Sequence, residues 1–222
     1  MIKQWFITGT DTNVGKTVIS TLLLKLASKK NFKTAGYKPI ASGCQKTSLG
    51  LQNQDALLLQ KNSNVILEYK DINPFAFYES QPPSFLNYHN STINFEKISI
   101  GLQKIQKKAN WIIIEGIGGW HTPIYQSFLL SDWVKKEELS VILVVHIKLG
   151  CINHTFLTYN AIVQSNLNFF GWFANHITYE KNLLKYITTI ENYINKPCLG
   201  IIPYIQDLNN VDLNNVNLIL PD

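Results

Sequence analysis

Two stretches constrain the fold most: "WIIIEG" (111–116) and "SVILVVH" (140–146) are apolar at consecutive positions, not alternate ones. A strand with one wet face alternates. A strand with none does not, so such runs suit a parallel sheet covered by helices on both sides. Short runs of the same kind fall at Gln4–Thr8, Thr34–Lys38, Trp111–Glu115, Val141–His146, Phe169–Asn175 and Cys198–Ile202. Between them, Lys16–Lys30, Phe95–Ala109, His154–Ser165 and Lys181–Asn195 can carry helices, with Ile19, Leu22, Leu23 and Leu26 marking one face of the first. This alternation implies right-handed βαβ crossovers and a doubly wound α/β fold, with a mostly parallel sheet and helices on both faces. The chain's 222 residues, 45% of them hydrophobic, suit one domain spanning 1–222, and no repeat or linker-like tract divides it. The tail "DLNNVDLNNVNLILPD" is expected to pack on the surface or to supply a loop to the ligand site.

Ligands of doubly wound sheets sit beyond the carboxyl ends of the strands, so the residues just after each run carry the chemistry. The first run leads into "GTDTNVGKT" (9–17). Strand, Gly-Lys-Thr and helix form the context of a phosphate-binding loop, although five residues, Thr10 to Val14, separate Gly9 from Gly15. Loop N–H groups and the positive end of the helix would hold phosphate oxygens. Lys16 would reach the β- and γ-phosphates, and the Thr17 hydroxyl would ligate Mg²⁺. The plainer alternative is an ordinary glycine-rich βα turn.

The second run gives "AGYKPIASG", which puts Lys38 at the strand end and Ser42 in the loop, while Pro39 bars a continuing central ladder. A cation there can stabilise charge on a transferring phosphoryl group; alone, Lys38 reads as a solvated surface lysine. In "NQDALLLQ", Asp55 is a helix cap or first-turn acid, or else a magnesium ligand. "WIIIEGIGG" ends in Glu115, and an acid closing a buried strand needs a partner such as a metal beside bound phosphate. Gly116, Gly118 and Gly119 let a ligand approach the backbone closely. In "VVHIKLGCINHT", Gly150, Cys151, Ile152 and Asn153 open a helix whose N–H groups suit a carboxylate. Cys151 has no nearby partner. His89, His121, His146, His154 and His176 form no metal-ligand constellation, and all read as structural.

Bulk properties exclude other classes. The net charge of +5 and pI near 9.0 invite a nucleic-acid reading, but all 20 basic residues are lysine and they are scattered. Nucleic-acid surfaces concentrate charge and rely on arginine forks; here no arginine finger can come from the chain. Cys44, Cys151 and Cys198 are far apart and odd in number, which fits a reduced compartment. "MIKQWFITGT" lacks the apolar core of a signal peptide, and no apolar run approaches a membrane span. A cytoplasmic protein without nucleic-acid or membrane partners is expected.

Taken in order, "GTDTNVGKT", "TAGYKPIASG", "NQDALLLQ", "IIIEGIGGW", "VILVVHIKLGCINH", "GWFANHI" and "LGIIPYI" resemble the blocks of the dethiobiotin synthetase family, from about Trp5 to Ile205. The longer phosphate loop is itself typical of that family. The resemblance implies a P-loop NTPase-like fold and an ATP- and Mg²⁺-dependent ligase of biotin synthesis. Its substrates would be 7,8-diaminopelargonic acid and CO₂, and its products dethiobiotin, ADP and phosphate, formed through a carbamate and a carbamic–phosphoric anhydride. The substrate supplies both nucleophiles, so the protein need supply only positioning and charge stabilisation.

By the same resemblance, Lys16 and Lys38 flank the carbamate and γ-phosphate, with Thr12 and Ser42 donating hydrogen bonds. Thr17, Asp55 and Glu115 hold Mg²⁺. ATP is contacted by Asn13, Val14, Gly15, Lys16, Thr17 and Val18, by Gly116 and Gly118, and near the adenine by Asn175, His176, Pro203 and Tyr204. Gly118 also meets the diamine, whose carboxylate goes to Gly150, Cys151, Ile152 and Asn153, with Tyr186, across a homodimer interface. Two departures stand out: Asn13 replaces a frequent glutamate, and His146 a small residue. The competing class is a P-loop regulatory ATPase of the partitioning or septum-site kind. Its signature lysine near the start of the loop is missing at Thr10 and Asp11.

Overall fold

The computed structural model describes residues 2–86, 93–125, 127–177, 179–208, 211, 213 and 216–221; His89 lies outside them. The strands are β1 (Lys3–Gly9), β2 (Thr34–Tyr37), β3 (Trp111–Glu115), β4 (Ser140–His146), β5 (Phe169–Asn175) and β6 (Cys198–Ile202). They form one sheet in the order β2-β3-β1-β4-β5-β6, and every neighbouring pair is parallel. Each expected run is therefore a strand. The longer helices are α1 (Lys16–Lys29), α2 (Gln54–Asn62), α3 (Phe95–Gln106), α4 (Leu130–Lys136), α5 (Cys151–Gln164) and α6 (Leu183–Tyr193), and single helical turns lie at Tyr69–Ile72 and Pro83–Leu86.

Consecutive apolar residues bury both ways. Trp5, Ile7, Ile113, Ile142 and Val144 pack with Ile19, Leu22 and Leu23 of α1 and Leu59 of α2. Their neighbours Phe6, Ile112, Ile114 and Leu143 point to the other side, against Leu102 of α3, Trp133 of α4, Ile162 of α5 and Ile190 of α6. Two-sided burial of this kind is what the missing alternation demanded.

Several boundaries moved for local reasons. Helix α5 starts at Cys151, not His154, because Gly150 takes a left-handed φ of 91° and opens the helix directly. Helix α6 is shorter than Lys181–Asn195 at both ends. Helices α2 and α4 are too short to show clear periodicity. Asn53, not Asp55, caps α2: its side chain accepts from the Asp55 and Ala56 amides at 3.0 and 3.3 Å, leaving Asp55 in the first turn. The tail does more than cover the surface, since Val216 and Leu220 are buried on the α1 side and Leu218 bridges Gly200.

The chain leaves β1 towards β2 on one side and, after β3, crosses β1 to reach β4 on the other. A crevice therefore opens beyond the carboxyl ends of β1, β3 and β4, where such folds bind ligands. Strand β2 stops at Tyr37, and beyond Pro39 the residues Ile40–Ala41 leave the sheet to pair in parallel with Phe75–Ala76. Gly36 lets α2 lie close on β2, since a Cβ there would stand 2.7 Å from the Leu59 Cβ. Gly36→Ala should overpack this contact and cost about 1–3 kcal/mol. Urea unfolding reads the cost; an unchanged midpoint would mean that α2 can shift freely.

Candidate active site

The turn from β1 to α1 is built for an anion. Gly15, at a left-handed φ of 96°, precedes the helix; no side chain caps the helix start and its first turn holds no acid. The amides there are left to a ligand, and the helix dipole favours negative charge. Only glycine fits position 15, because the Asn175 Nδ2 lies 1.8 Å from where a Cβ would sit. That Nδ2 donates to the Val14 carbonyl at 2.8 Å, tying the end of β5 to the loop.

Lys16 curls back over the loop and donates to the carbonyls of Asp11 and Gly118 at 3.0 and 2.7 Å. Burial, then the charge of Lys38, pushes its pKa down to about 8, although Glu115, Asp55 and Asp11 pull it upward. Lys38 is not a solvated surface lysine: it is 4% exposed. Its ammonium meets Glu115 Oε1 at 2.7 Å and Asp55 Oδ2 at 3.3 Å. Burial works against the Lys38 charge, but these two carboxylates and their hydrogen bonds more than offset it, and its pKa is raised.

Glu115 ends β3 beside Ile7 of β1. Its Oε1 also accepts from Thr17 Oγ1 at 2.8 Å, while its buried Oε2 has no hydrogen-bond partner among the described residues. Thr17, Asp55 and Glu115 thus form an all-oxygen set with one unsatisfied carboxylate oxygen, which fits a hard divalent cation such as magnesium. Among the described residues, no group of three or more His, Cys, Asp or Glu could hold a metal.

These residues line a cavity of about 400 Å³ together with Thr12, Asn13, Gly15, Val18, Ser42, Gly116, Gly118, Asn175, Pro203 and Tyr204. A second cavity of about 430 Å³ shares Thr12, Ser42, Ser80, Ile117 and Gly118 with the first, so the two adjoin along that wall. Two expected nucleotide contacts do not line it. The Val14 side chain is buried in the core, and the His176 ring instead accepts from the Glu180 amide at 3.0 Å. Gly150, Cys151, Ile152, Asn153 and Tyr186 also lie outside both cavities. The Cys151 side chain is buried and its amide donates to the Lys148 carbonyl, so neither is presented to a ligand as expected. Asn53, Ser80, Ile117, Ile177 and Ile205 line the cavity and were missed. Nothing in the sequence marks them beyond their nearness to the strand ends.

A glycine loop on a helix dipole, a lysine folded over it and an acid on the neighbouring strand define a P-loop nucleotide-binding domain. The family described as "AAA domain" matches residues 3–212. The chain is 48% identical to the ATP-dependent dethiobiotin synthetase BioD of Buchnera aphidicola subsp. Acyrthosiphon pisum (strain APS), over 100% of both chains. It is 46% identical to the ATP-dependent dethiobiotin synthetase BioD 1 of Escherichia coli (strain K12), over 93% of both. The chain belongs to the ATP-dependent dethiobiotin synthetase family. Similar solved structures include the MinD cell division protein of Aquifex aeolicus, with a TM-score of 0.58, 15% identity and coverage of 94% of this chain and 85% of that one. A ParA family ATPase from Chlorobium tepidum TLS gives 0.59 at 14% identity, covering 93% and 87%. At such identity these likenesses concern the fold alone.

The depressed Lys16 pKa makes ligand-free stability pH-dependent. Between about 8, its folded value, and 10.5, its ordinary one, the unfolded chain binds more protons than the folded one. Stability should therefore rise with pH across that window, and the penalty is fully present below it. Lys16→Met should remove this slope and unfold no more easily than the parent at neutral pH, while losing the stabilisation that ATP gives. Denaturant titrations from pH 7 to 10 check this; a destabilised variant that keeps the slope would contradict it.

Proposed function

We propose that this chain acts as one domain, in a cytoplasmic homodimer, to carboxylate 7,8-diaminopelargonic acid and close its cyclic urea. Membership of the synthetase family makes it an ATP-dependent ligase that forms dethiobiotin in biotin biosynthesis. The observation that carries the finer reading is the wall of Thr12, Ser42 and Gly118 that two adjoining cavities share, beside the buried Lys16 and Lys38. A diamine in the second cavity would meet the phosphate end of a nucleotide in the first.

The chemistry needs no nucleophile from the protein. One amine adds to CO₂ and loses a proton, giving a carbamate. A carbamate oxygen takes the γ-phosphoryl group, and ADP leaves. The second amine then attacks the carbonyl carbon, and phosphate leaves as the ring closes and a second proton is lost. Lys16 and Lys38 would offset the negative charge gathered where carbamate and γ-phosphate meet. Thr12 and Ser42 would orient the carbamate by hydrogen bonds. Thr17, Asp55 and Glu115 would hold Mg²⁺, which neutralises charge on the transferring phosphate.

Gly150, Ile152 and Asn153 at the start of α5, with Tyr186, would hold the substrate carboxylate. They line neither cavity of this chain, and in this reading they serve the partner's site across the homodimer interface. The Cys151 side chain, being buried, takes no part.

Phosphate release with ATP, Mg²⁺, bicarbonate and the diamine tests the assignment. It should require the diamine; diamine-independent hydrolysis stimulated by DNA or lipid would replace this reading with a regulatory ATPase. Lys38→Ala should abolish turnover while largely sparing ATP binding, and unchanged turnover would refute its catalytic role. Without its ammonium, the fully buried Glu115 side chain loses its counterion, so the ligand-free variant should also be less stable by about 3–5 kcal/mol. Tyr186→Phe should raise the KM for the diamine with kcat nearly unchanged; an unaltered diamine KM would count against this placement.

A further inference from the structure

Beyond Pro39 the segment carrying Lys38 and Ser42 has left the main sheet and needs another support. A second segment supplies it. Lys38 N–H donates to the Ile72 carbonyl at 2.9 Å, Phe75 N–H to the Pro39 carbonyl at 3.2 Å, and Phe77 N–H to the Ala41 carbonyl at 2.8 Å. Three side chains outside the reacting set close this strap. The Asn73 carboxamide, 3% exposed, donates to the Lys38 carbonyl at 2.7 Å and to the Phe75 carbonyl at 3.3 Å. Its Oδ1 accepts from the Tyr69 hydroxyl at 2.9 Å. The same hydroxyl accepts from the Asn53 amide at 2.7 Å. Asn53 in turn donates to the Ser42 carbonyl at 3.2 Å and caps the turn that carries Asp55.

One phenol hydroxyl therefore lies between the backbone of Lys38 on one side and that of Ser42 and Asp55 on the other. We propose that Tyr69 and Asn73 are positioning residues for phosphoryl transfer, acting through this hydroxyl bridge to fix Lys38 and Ser42 relative to the acid on α2. Neither lines the nucleotide cavity, so both act on chemistry only through the groups they hold. Cutting the bridge also leaves buried polar groups without partners, which the segment can relieve only by shifting. Misplacement of a catalytic group by about 1 Å can cost about 100-fold in rate.

The proposal rests on the functional reading above, and the test separates the two. With ATP, Mg²⁺, bicarbonate and the diamine, the unaltered enzyme should release phosphate in a diamine-dependent way. Tyr69→Phe keeps the ring and deletes the bridge; its kcat should fall about 10- to 100-fold, with the KM for ATP within about twofold of the parent. Asn73→Ser cuts the same link from the other end and should fall similarly. The double variant should be little worse than the poorer single one, because both remove one connection. A merely structural role would lower the unfolding midpoints additively and leave kcat per folded molecule unchanged. That result overturns the proposal, as does a parallel loss of ATP binding, which would mean damage to the whole pocket. Absence of diamine-dependent release from the parent overturns the functional reading itself.

Discussion

The structure depends on one expensive placement: a carboxylate at the end of a strand buried on both faces. Glu115 is 1% exposed, and an unpaired charge there would unfold the sheet end or lose its ionisation. Everything converging on it answers that need. Lys38 arrives from the neighbouring β2, Thr17 from the first turn of α1, and Asp55 shares Lys38 from the first turn of α2. The groups proposed above for phosphoryl transfer are thus already gathered by the electrostatics of a folded, ligand-free core.

Much of this was legible in the amino-acid order because the signals were periodic or tied to strand ends. Unbroken apolar runs can satisfy their burial only between two helix layers, so the sheet and its helices followed. "GTDTNVGKT" after the first run, and Glu115 after a buried one, pointed to the crevice before any geometry was known. Other features were out of reach. Lys38 alone could not be told from a surface lysine, because its burial depends on acids 17 and 77 residues away in sequence. The Asn53–Tyr69–Asn73 bridge has no motif, since it joins the ends of two helices through single hydrogen bonds between residues 16 and 4 apart in sequence. The range His154–Ser165 began α5 late, whereas the reading of Gly150–Asn153 as a helix opening matches its start at Cys151.

The longer phosphate loop also gains a physical reading. Gly15 precedes the helix that Lys16 and Thr17 open, while Thr12 stands exposed in the loop and lines both cavities. Asn13 takes a left-handed φ of 58° without being glycine, a conformation asparagine tolerates better than most residues.

The hydrogen bond from Asn175 to the Val14 carbonyl has a mechanical consequence. It fastens the far half of the sheet to the phosphate loop through a space that only a glycine at position 15 leaves open. Asn175 also precedes, across the β5–β6 pairing, the Ile202 end from which Pro203 and Tyr204 reach the cavity. The phosphate loop and the Pro203–Tyr204 wall of the cavity are therefore linked through β5, so that a shift of that strand would move both at once.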